Sequence, residues 1–506
     1  MSAAVPLVRP STAADIGPAV ASVLAAGGRY LTSAASDVRA TEGHFRVDYV
    51  FHRPGRAELE ILRLCLPAEK PAYPSLVPVL PAVHWDEREA ADLFGLVPQG
   101  HPDPRRLVLP DDWPAGLHPL RKDVAWNVHP RSALASGWSP RVAQGEGIVP
   151  MPVGPVHAGV IESGHFVFSL MGESILDVDL RLFQKHRGIE KVLEGLAWAD
   201  AGAIVERVCA TCSASHQAAW CEAMEDVLDW TLPERGVYLR TILLECERLY
   251  NHVNDIAAVP AGTGFTVAAM EGAELKEHLL GVQAGVFGHR YLFGTIRPGG
   301  VACDLPRDAV MGLRRDLAGV RLRLERLGQR LLRHPGFMDR AQGTGVLSGQ
   351  TAAALGAVGP SARASGGDHD LRLDRPSFAY RQFSPLVITE RGGDVAARLR
   401  LRLREADVSV ALLDHLLHRL PEGAFRSAAP EGAAQAEGLG VGCNESPRGA
   451  NVHYVDVRGG RIVRYRIRSA SFANWPLLVE AVPGNLIGDF PLINKSFELC
   501  YACCDR

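Results

Sequence analysis

Cys209 and Cys212 form a Cys-x-x-Cys pair in the stretch IVERVCATCSASH, and His216 follows four residues after the second cysteine. A second such pair, Cys500 and Cys503, lies in SFELCYACCDR, with Cys504 directly behind it. This spacing lets one metal take both sulfurs of a pair, and two pairs offer four thiolates. Four thiolates select soft or borderline metals: zinc, an iron–sulfur cluster, or nickel together with iron. Structural zinc is the commonest use of paired cysteines. It usually joins pairs inside a small lobe that needs the metal to fold, whereas here more than half of the chain, rich in helix formers, separates them. A cubane cluster also takes four thiolates, though pairs this distant are an uncommon layout for one. The third option is a dinuclear site where the two ends of one domain meet. Spacing alone leaves all three open. Chain ends fray, so a pair beside residue 506 is ordered only if something such as a metal holds it.

The elements that must position these groups are partly legible. The segments HFRVDYVFHR and AELEILRLCLP alternate and carry β-branched or aromatic residues, which predicts two strands. A Pro-rich stretch separates them from WDEREAADLFGL, a short amphipathic helix with Trp85, Ala90 or Ala91, Phe94 and Leu96 on its apolar side. GHPDPRRLVLPDDWPAGLHPLRKD is too dense in Pro, Asp and Arg to be one regular element. It is expected to be an arm laid over a neighbouring surface and pinned by its arginines. Residues 1–125 therefore form an α+β domain, 126–149 a linker, and 150–506 a larger domain. In that larger domain GHFVFSLMGESILDVDLRL predicts a hairpin turning at Gly172-Glu173. PERGVYLRTILLECERLYNHVNDIA predicts a helix with a stripe of Leu239, Ile242, Leu243, Cys246 and Leu249, and Pro233 suits its start. Further helices are expected near 270–288, 308–334 and 391–419, and a loop over 357–380. A small sheet after 443 (VHYVDV, IVRYRIR) leads into irregular chain.

The sequence has 506 residues, 47% hydrophobic and 22% charged, with a formal net charge of −3. A globular protein with a large core follows. That charge gives no case for binding nucleic acid. No apolar run is long enough to span a membrane, and MSAAVPLVRPSTAAD lacks the features of a secretory signal, so a cytoplasmic chain is expected. The remaining cysteines Cys65, Cys221, Cys246, Cys303 and Cys443 are expected to be buried thiols.

The segment E-R-V-C-x-x-C-x-x-x-H with a C-terminal C-x-x-C resembles the large subunit of [NiFe] hydrogenases, in particular the energy-converting class of formate hydrogenlyase type. WDEREAADLFGL and the arm after it resemble the small hydrophilic subunit of respiratory complex I. GPVHAGVIESGHF, DVDLRLFQKHRGIEK, LLECERLYNH, TERGGDVAARLRLR and ESPRGANVHYV resemble the hydrogenase and complex I catalytic-subunit lineage. The fold this implies is an α+β N-terminal module followed by a mainly α-helical large-subunit domain with small peripheral sheets.

The resemblance also implies roles. All four thiolates bind nickel: Cys209 and Cys500 as terminal ligands, Cys212 and Cys503 as bridges to an iron carrying CO and cyanide. His216 hydrogen-bonds a bridging sulfur. Glu162, in a partly buried site with a raised pKa, relays protons between a cysteine sulfur and the surface. Arg448, in ESPRG, is poised over the metal pair with a fixed charge. Read without the resemblance, His216 is an ordinary packed histidine, and Glu162 and Arg448 are surface turn residues. His186, Arg187, Glu190 and Lys191 match a signature near the contact with the small iron–sulfur subunit. Glu206 is a possible partner of a nearby arginine.

The activity implied is interconversion of protons and H2, with formate as the source of electrons. No iron–sulfur cluster is predicted in this chain. The implied partners are a small iron–sulfur hydrogenase subunit, a ferredoxin-like electron-transfer subunit, membrane proton-pump-like subunits and a formate dehydrogenase. The chain would then sit on the inner face of the cell membrane through those partners. Three residues depart from the family pattern: Ala210 stands where glycine or serine is usual, and Glu498-Leu499 where Asp-Pro is usual. Cys504 adds a thiol. Arg506, three residues past Cys503, matches the point at which the family's C-terminal tail is trimmed. The lineage of complex I shares the fold but lacks the four ligands, so a quinone reductase subunit is one alternative. A non-catalytic subunit with structural zinc is another.

Overall fold

The computed structural model describes residues 6–56, 58–128, 130, 138–158 and 161–506. Ala57 of the second expected strand, residues 129 and 131–137 of the linker, and Gly159-Val160 of GPVHAGVIESGHF lie outside the described residues.

The N-terminal module is a four-stranded sheet in the order Leu7–Ser11, Leu59–Pro67, His44–His52, Arg29–Asp37, with the first pairing parallel and the others antiparallel. Both expected strands are its centre. One face carries Phe45, Val47, Tyr49, Phe51, Leu62 and Leu64 and packs on the helix Ile16–Ala25 through Ile16, Val20 and Val23. The other face presents Leu31, Val50, Leu59 and Ile61 to Val441, Val452 and Tyr454 of the C-terminal sheet. A sheet covered on both sides explains why its alternation is only partial. Cover ends toward Cys65, which is exposed rather than buried as expected, and Cys303 is half-buried.

The helix His84–Phe94 buries Trp85, Ala90 and Phe94, but Asp86, Glu87, Arg88, Glu89 and Asp92 are buried as well. It is enclosed on all sides, not amphipathic. The arm after it is irregular and pinned as its composition suggested. Arg105 pairs with Asp103 and, at 2.6 Å, with Asp179 of the larger domain. Lys122 pairs with Glu194 at 2.7 Å.

Strand Ile148–Val153 takes up the last residues assigned to the linker and pairs with the hairpin His165–Met171 and Ser174–Arg181. Gly172 supplies the positive φ of the hairpin turn, at 60°. The central helix is Glu234–Ala261, with Pro233 just before it. Its stripe of Leu239, Ile242, Leu243, Cys246 and Leu249 is buried, and so is nearly every other side, because helices Thr266–Phe287, Val395–His418 and Phe490–Phe497 surround it. The helix Arg307–Arg333 is the amphipathic one: Leu313, Leu317, Val320, Leu324, Leu327 and Leu331 are buried at helical spacing. The expected loop over 357–380 contains short helices at Gly359–Arg363 and Leu371–Asp374.

Strands Gly438–Ser446, Gly449–Arg458 and Arg461–Arg468 make an antiparallel sheet. The chain after it is not irregular as expected. It forms helices Ala470–Ala481, Phe490–Phe497 and Tyr501–Asp505. Ser469 starts the first by accepting a hydrogen bond from Phe472 N at 3.1 Å. Glu498 closes the second at φ +46°.

Arg506 is buried beneath this sheet. Its guanidinium reaches Glu89 of the N-terminal module and Glu190 of the larger domain, each at 2.9 Å. Arg466 bonds Glu89 at 2.6 Å and Asp86 at 2.9 Å, and Arg464 bonds Glu190 at 2.9 Å. We call this group the ionic clamp.

Candidate metal centre

Residues 209–227 are delivered as a unit. Cys209 is extended, Ala210–Cys212 make one tight turn, and the helix Ser213–Val227 follows. Glu247, from the central helix, reaches across to that helix's first turn. Its carboxyl accepts from Ala214 N at 2.7 Å and Ser215 N at 3.0 Å, two donors left free by the helix start. Burial raises its pKa to about 8. Tyr250 and Asn251, one turn on, donate to the Thr211 carbonyl at 2.9 and 2.7 Å. The Cys-x-x-Cys turn is therefore moulded by side chains of the central helix.

The other pair arrives on the last helix. Cys500 accepts from Cys503 N at 3.3 Å and so caps that helix, while Cys500 N donates to Ser471 Oγ at 3.0 Å. Ser469 Oγ donates to the Cys503 carbonyl at 2.8 Å. Four nearby residues hold the segment from outside. His186 Nδ1 lies 2.6 Å from the Asp505 carbonyl, and the Asp505 carboxylate accepts from Phe183 N and Lys185 N. Arg187 donates to the carbonyls of Val208 and Ala502 at 2.8 and 3.0 Å, stapling the two cysteine segments together. Lys191 donates to Arg121 of the arm at 3.0 Å.

These contacts bring the two pairs together. Cys209, Cys500 and Cys503 offer sulfurs all within 4.8 Å of one another. Cys209 and Cys500 are 3.3 Å apart, and Cys212 completes the same buried cluster. The donor set fits a soft metal. Four thiols in contact cannot all ionise on their own. Hydrogen bonds from Cys212, Cys500 and Cys503 hold Cys209 well below the usual thiol range, and that first charge pushes the other three up. Only a cation lets all four become thiolates.

His216 is buried, with Nε2 3.6 Å from Cys503 Sγ. Burial lowers its pKa to about 4, so the ring is neutral. Arg448 is buried too, not a surface turn residue. Its Nη1 lies 3.7 Å from Cys212 Sγ and 2.8 Å from Asn251 Oδ1, and its Nη2 lies 3.3 Å from Asp255 Oδ1. Its Nε donates to the Glu498 carbonyl. Burial alone would weaken its charge, but Asp255 and the sulfurs outweigh that and hold its pKa well above the usual value. A small cleft bounded by Cys212, His216, Arg448, Ser471 and Cys503 abuts the sulfurs.

Glu162 differs from the expectation of a partly buried carboxyl. It is exposed, because the loop before His165 runs over the outside of the last helix. Its carboxylate nonetheless accepts from Ala502 N at 2.7 Å, between the two C-terminal cysteines. Glu206 does meet an arginine, Arg207 next to it, at 2.6 Å. Glu247, Asn251, Asp255 and His453 were not singled out in the sequence, although all but His453 lie in or just beyond LLECERLYNH.

Comparison with known proteins bears on this arrangement. The family model of the respiratory-chain NADH dehydrogenase 49 Kd subunit matches residues 262–437 and 425–506, and that of the 30 Kd subunit matches 12–129. The nickel-dependent hydrogenase model matches 187–255, which includes the first cysteine pair. Formate hydrogenlyase subunit 5 of Escherichia coli (strain K12) is 35% identical over 479 residues, covering 93% of this chain and 84% of the relative. Hydrogenase-4 component G of the same organism is 33% identical over 477 residues, covering 93% and 82%. Among solved structures, a chain of the membrane-bound sulfane sulfur reductase, an archaeal respiratory membrane complex, superimposes with a TM-score of 0.67 at 24% identity. It covers 71% of this chain and 99% of its own, a likeness of fold.

Proposed function

The chain belongs to the family of formate hydrogenlyase subunit 5 and hydrogenase-4 component G, and from that premise we propose that it is the catalytic large subunit of a membrane-associated [NiFe] hydrogenase complex interconverting protons and H2. The observation that carries this reading is the convergence of four cysteine sulfurs from two distant pairs in one buried cluster. In this reading residues 1–125 are a docking module, 126–149 a linker and 150–506 the domain that holds the metals.

Cys209, Cys212, Cys500 and Cys503 would hold a centre of nickel and an iron that carries CO and cyanide. When bound, that centre supplies a soft, redox-active site for heterolytic cleavage of H2. The protein's own residues do the rest. Cys500, the least buried of the four, is the thiolate best placed to take a proton. Glu162 is anchored on Ala502 N, two residues from Cys500, with its exposed carboxylate open to water. It can pass a proton between that sulfur and solvent. Arg448 brings a fixed positive charge to the cleft without titrating, and its bonds to Asn251, Asp255 and Glu498 keep it there. His216, 3.6 Å from Cys503 Sγ, would donate to that sulfur.

Electrons leave through a small iron–sulfur subunit and a ferredoxin-like subunit. Membrane proton-pump-like subunits and a formate dehydrogenase complete the complex on the inner face of the cell membrane. No helix among the described residues is long and apolar enough to cross a membrane. The first test is infrared spectroscopy with nickel and iron analysis on protein matured in its own host. CO and cyanide stretches with about one nickel per chain, as four thiolates around one nickel require, support the reading. Zinc without diatomic bands would overturn it. Absence of both metals with intact quinone reduction would favour a complex I-like subunit.

A further inference from the structure

A line of hydrogen bonds leads from the cluster into the C-terminal sheet. His216 faces Cys503 with Nε2, and its Nδ1 lies 2.9 Å from His453 Nε2. His453 Nδ1 in turn lies 2.8 Å from the Tyr465 hydroxyl. All three side chains are at most 1% exposed. The rings meet edge to face, at 65° between the histidines and 88° between His453 and Tyr465, so that polar atoms rather than ring faces are in line.

The polarity of this line follows from donor counting. A metal-held thiolate only accepts, so the His216 nitrogen facing it must carry the proton. A neutral imidazole has one donor and one acceptor, so His216 Nδ1 accepts. His453 must then donate from Nε2 and accept at Nδ1. Tyr465 can satisfy that acceptor only by donating its hydroxyl proton. We propose that His453 and Tyr465 are positioning residues that lock His216 in the Nε2–H tautomer and so keep an N–H on the sulfur of Cys503. This rests on reading the four cysteines as metal ligands.

The backbone around the line is built to hold it still. Tyr465 pairs opposite Val455 and His453 opposite Ile467, which sets the two side chains diagonally on one face of the sheet. On either side of Tyr465, Arg464 and Arg466 are fixed on Glu190 at 2.9 and 3.3 Å. Among the polar atoms of His216, His453 and Tyr465, none is left without a partner. A change at Tyr465 therefore reaches the sulfur by way of two imidazole rings.

The test is 15N spectroscopy of the full chain, histidine-labelled and matured with its metal, alongside metal analysis and H2 assays. Wild-type His216 and His453 should both be neutral with the proton on Nε2. His453→Leu should give His216 a mixture of tautomers and lower H2 turnover about tenfold or more at unchanged metal content, as loss of a ligand-orienting hydrogen bond does. His453→Gln can donate to His216 and accept from Tyr465, and should restore the single His216 tautomer. Should His453→Leu fail to fold, the nearly isosteric Tyr465→Phe should still shift the His453 Nδ1 signal. An Nδ1–H ring at either histidine in the wild type would overturn the proposal, as would an unchanged His216 signal in His453→Leu. Either metal, nickel or zinc, makes Cys503 a thiolate. Metal analysis of the wild type thus tests the hydrogenase reading separately from the tautomer result.

Discussion

The thiol cluster and the ionic clamp both bury ionisable groups, and residues 500–506 enter both. In the clamp, Arg464, Arg466 and Arg506 meet Glu89, Glu190 and Asp86 at 2.6 to 3.3 Å. Each charge there has its opposite within the chain. In the cluster, four groups of the same kind crowd together, and the nearest fixed cation, Arg448, is already engaged by Asp255 and Asn251. The chain supplies its own countercharge where a contact has only to hold shape. It offers the four cysteines no such pairing, which is the arrangement that receipt of a cation would need. Four thiolates here would lack a matching countercharge within the chain, and buried uncompensated charge is costly, which supports reading the cluster as a receiver for a cation.

Removing a ligand should separate the two regions most sharply. Cys503→Ala is expected to bring nickel down to background by elemental analysis, while the clamp keeps the last helix docked. Full nickel occupancy in that variant would break the comparison. Glu190→Gln is expected to leave buried guanidiniums uncompensated and to cost about 3–5 kcal/mol in urea denaturation. A loss no larger than that of a surface pair would show that the clamp does not depend on charge balance.

The clamp also sets a pH dependence. Burial pushes the Glu190 carboxyl up, but Arg464, Arg466 and Arg506 more than reverse this and bring its pKa to about 2, against an ordinary 4.5. A depressed folded-state pKa stabilises the fold above the unfolded value and is lost as pH falls through the folded one. The stabilisation should be whole above about pH 4.5 and fade toward pH 2, so the urea midpoint should drop across that window less in Glu190→Gln than in wild type. The smallest effect is expected at the surface. Arg321 and Asp407 are each at least half exposed and pair at 2.6 Å, and Arg321→Ala should leave the urea midpoint without a resolvable change.

The parts of the site carried by local spacing were legible. Cys-x-x-Cys is a chelating pair in any fold, and the helical stripe through Leu239 and Leu249 announced the element that shapes it. The hairpin at Gly172 was legible for the same reason. What the sequence hid was whatever depends on distant segments meeting. The resemblance implied a partly buried Glu162, but it is exposed, as the turn residues read on their own suggested. His453 and Tyr465 lie in the alternating runs VHYVDV and IVRYRIR, and alternation could have placed each on one face of a strand. Which residue faces which depends on register, set by pairing Val455 with Tyr465. The helices Ala470–Ala481 and Phe490–Phe497 were not expected: Pro476 lies inside the first, and Pro491 sits in the opening turn of the second, where proline is tolerated.

Arg506 touches Glu89 and Glu190 at once, one in each module. A ribosome releases residues 498–506 after everything they pack against. The segment carrying Cys500 and Cys503 packs where both Glu89 and Glu190 have been brought together. The seat of the second cysteine pair thus depends on how the segments carrying Glu89 and Glu190 are assembled against each other.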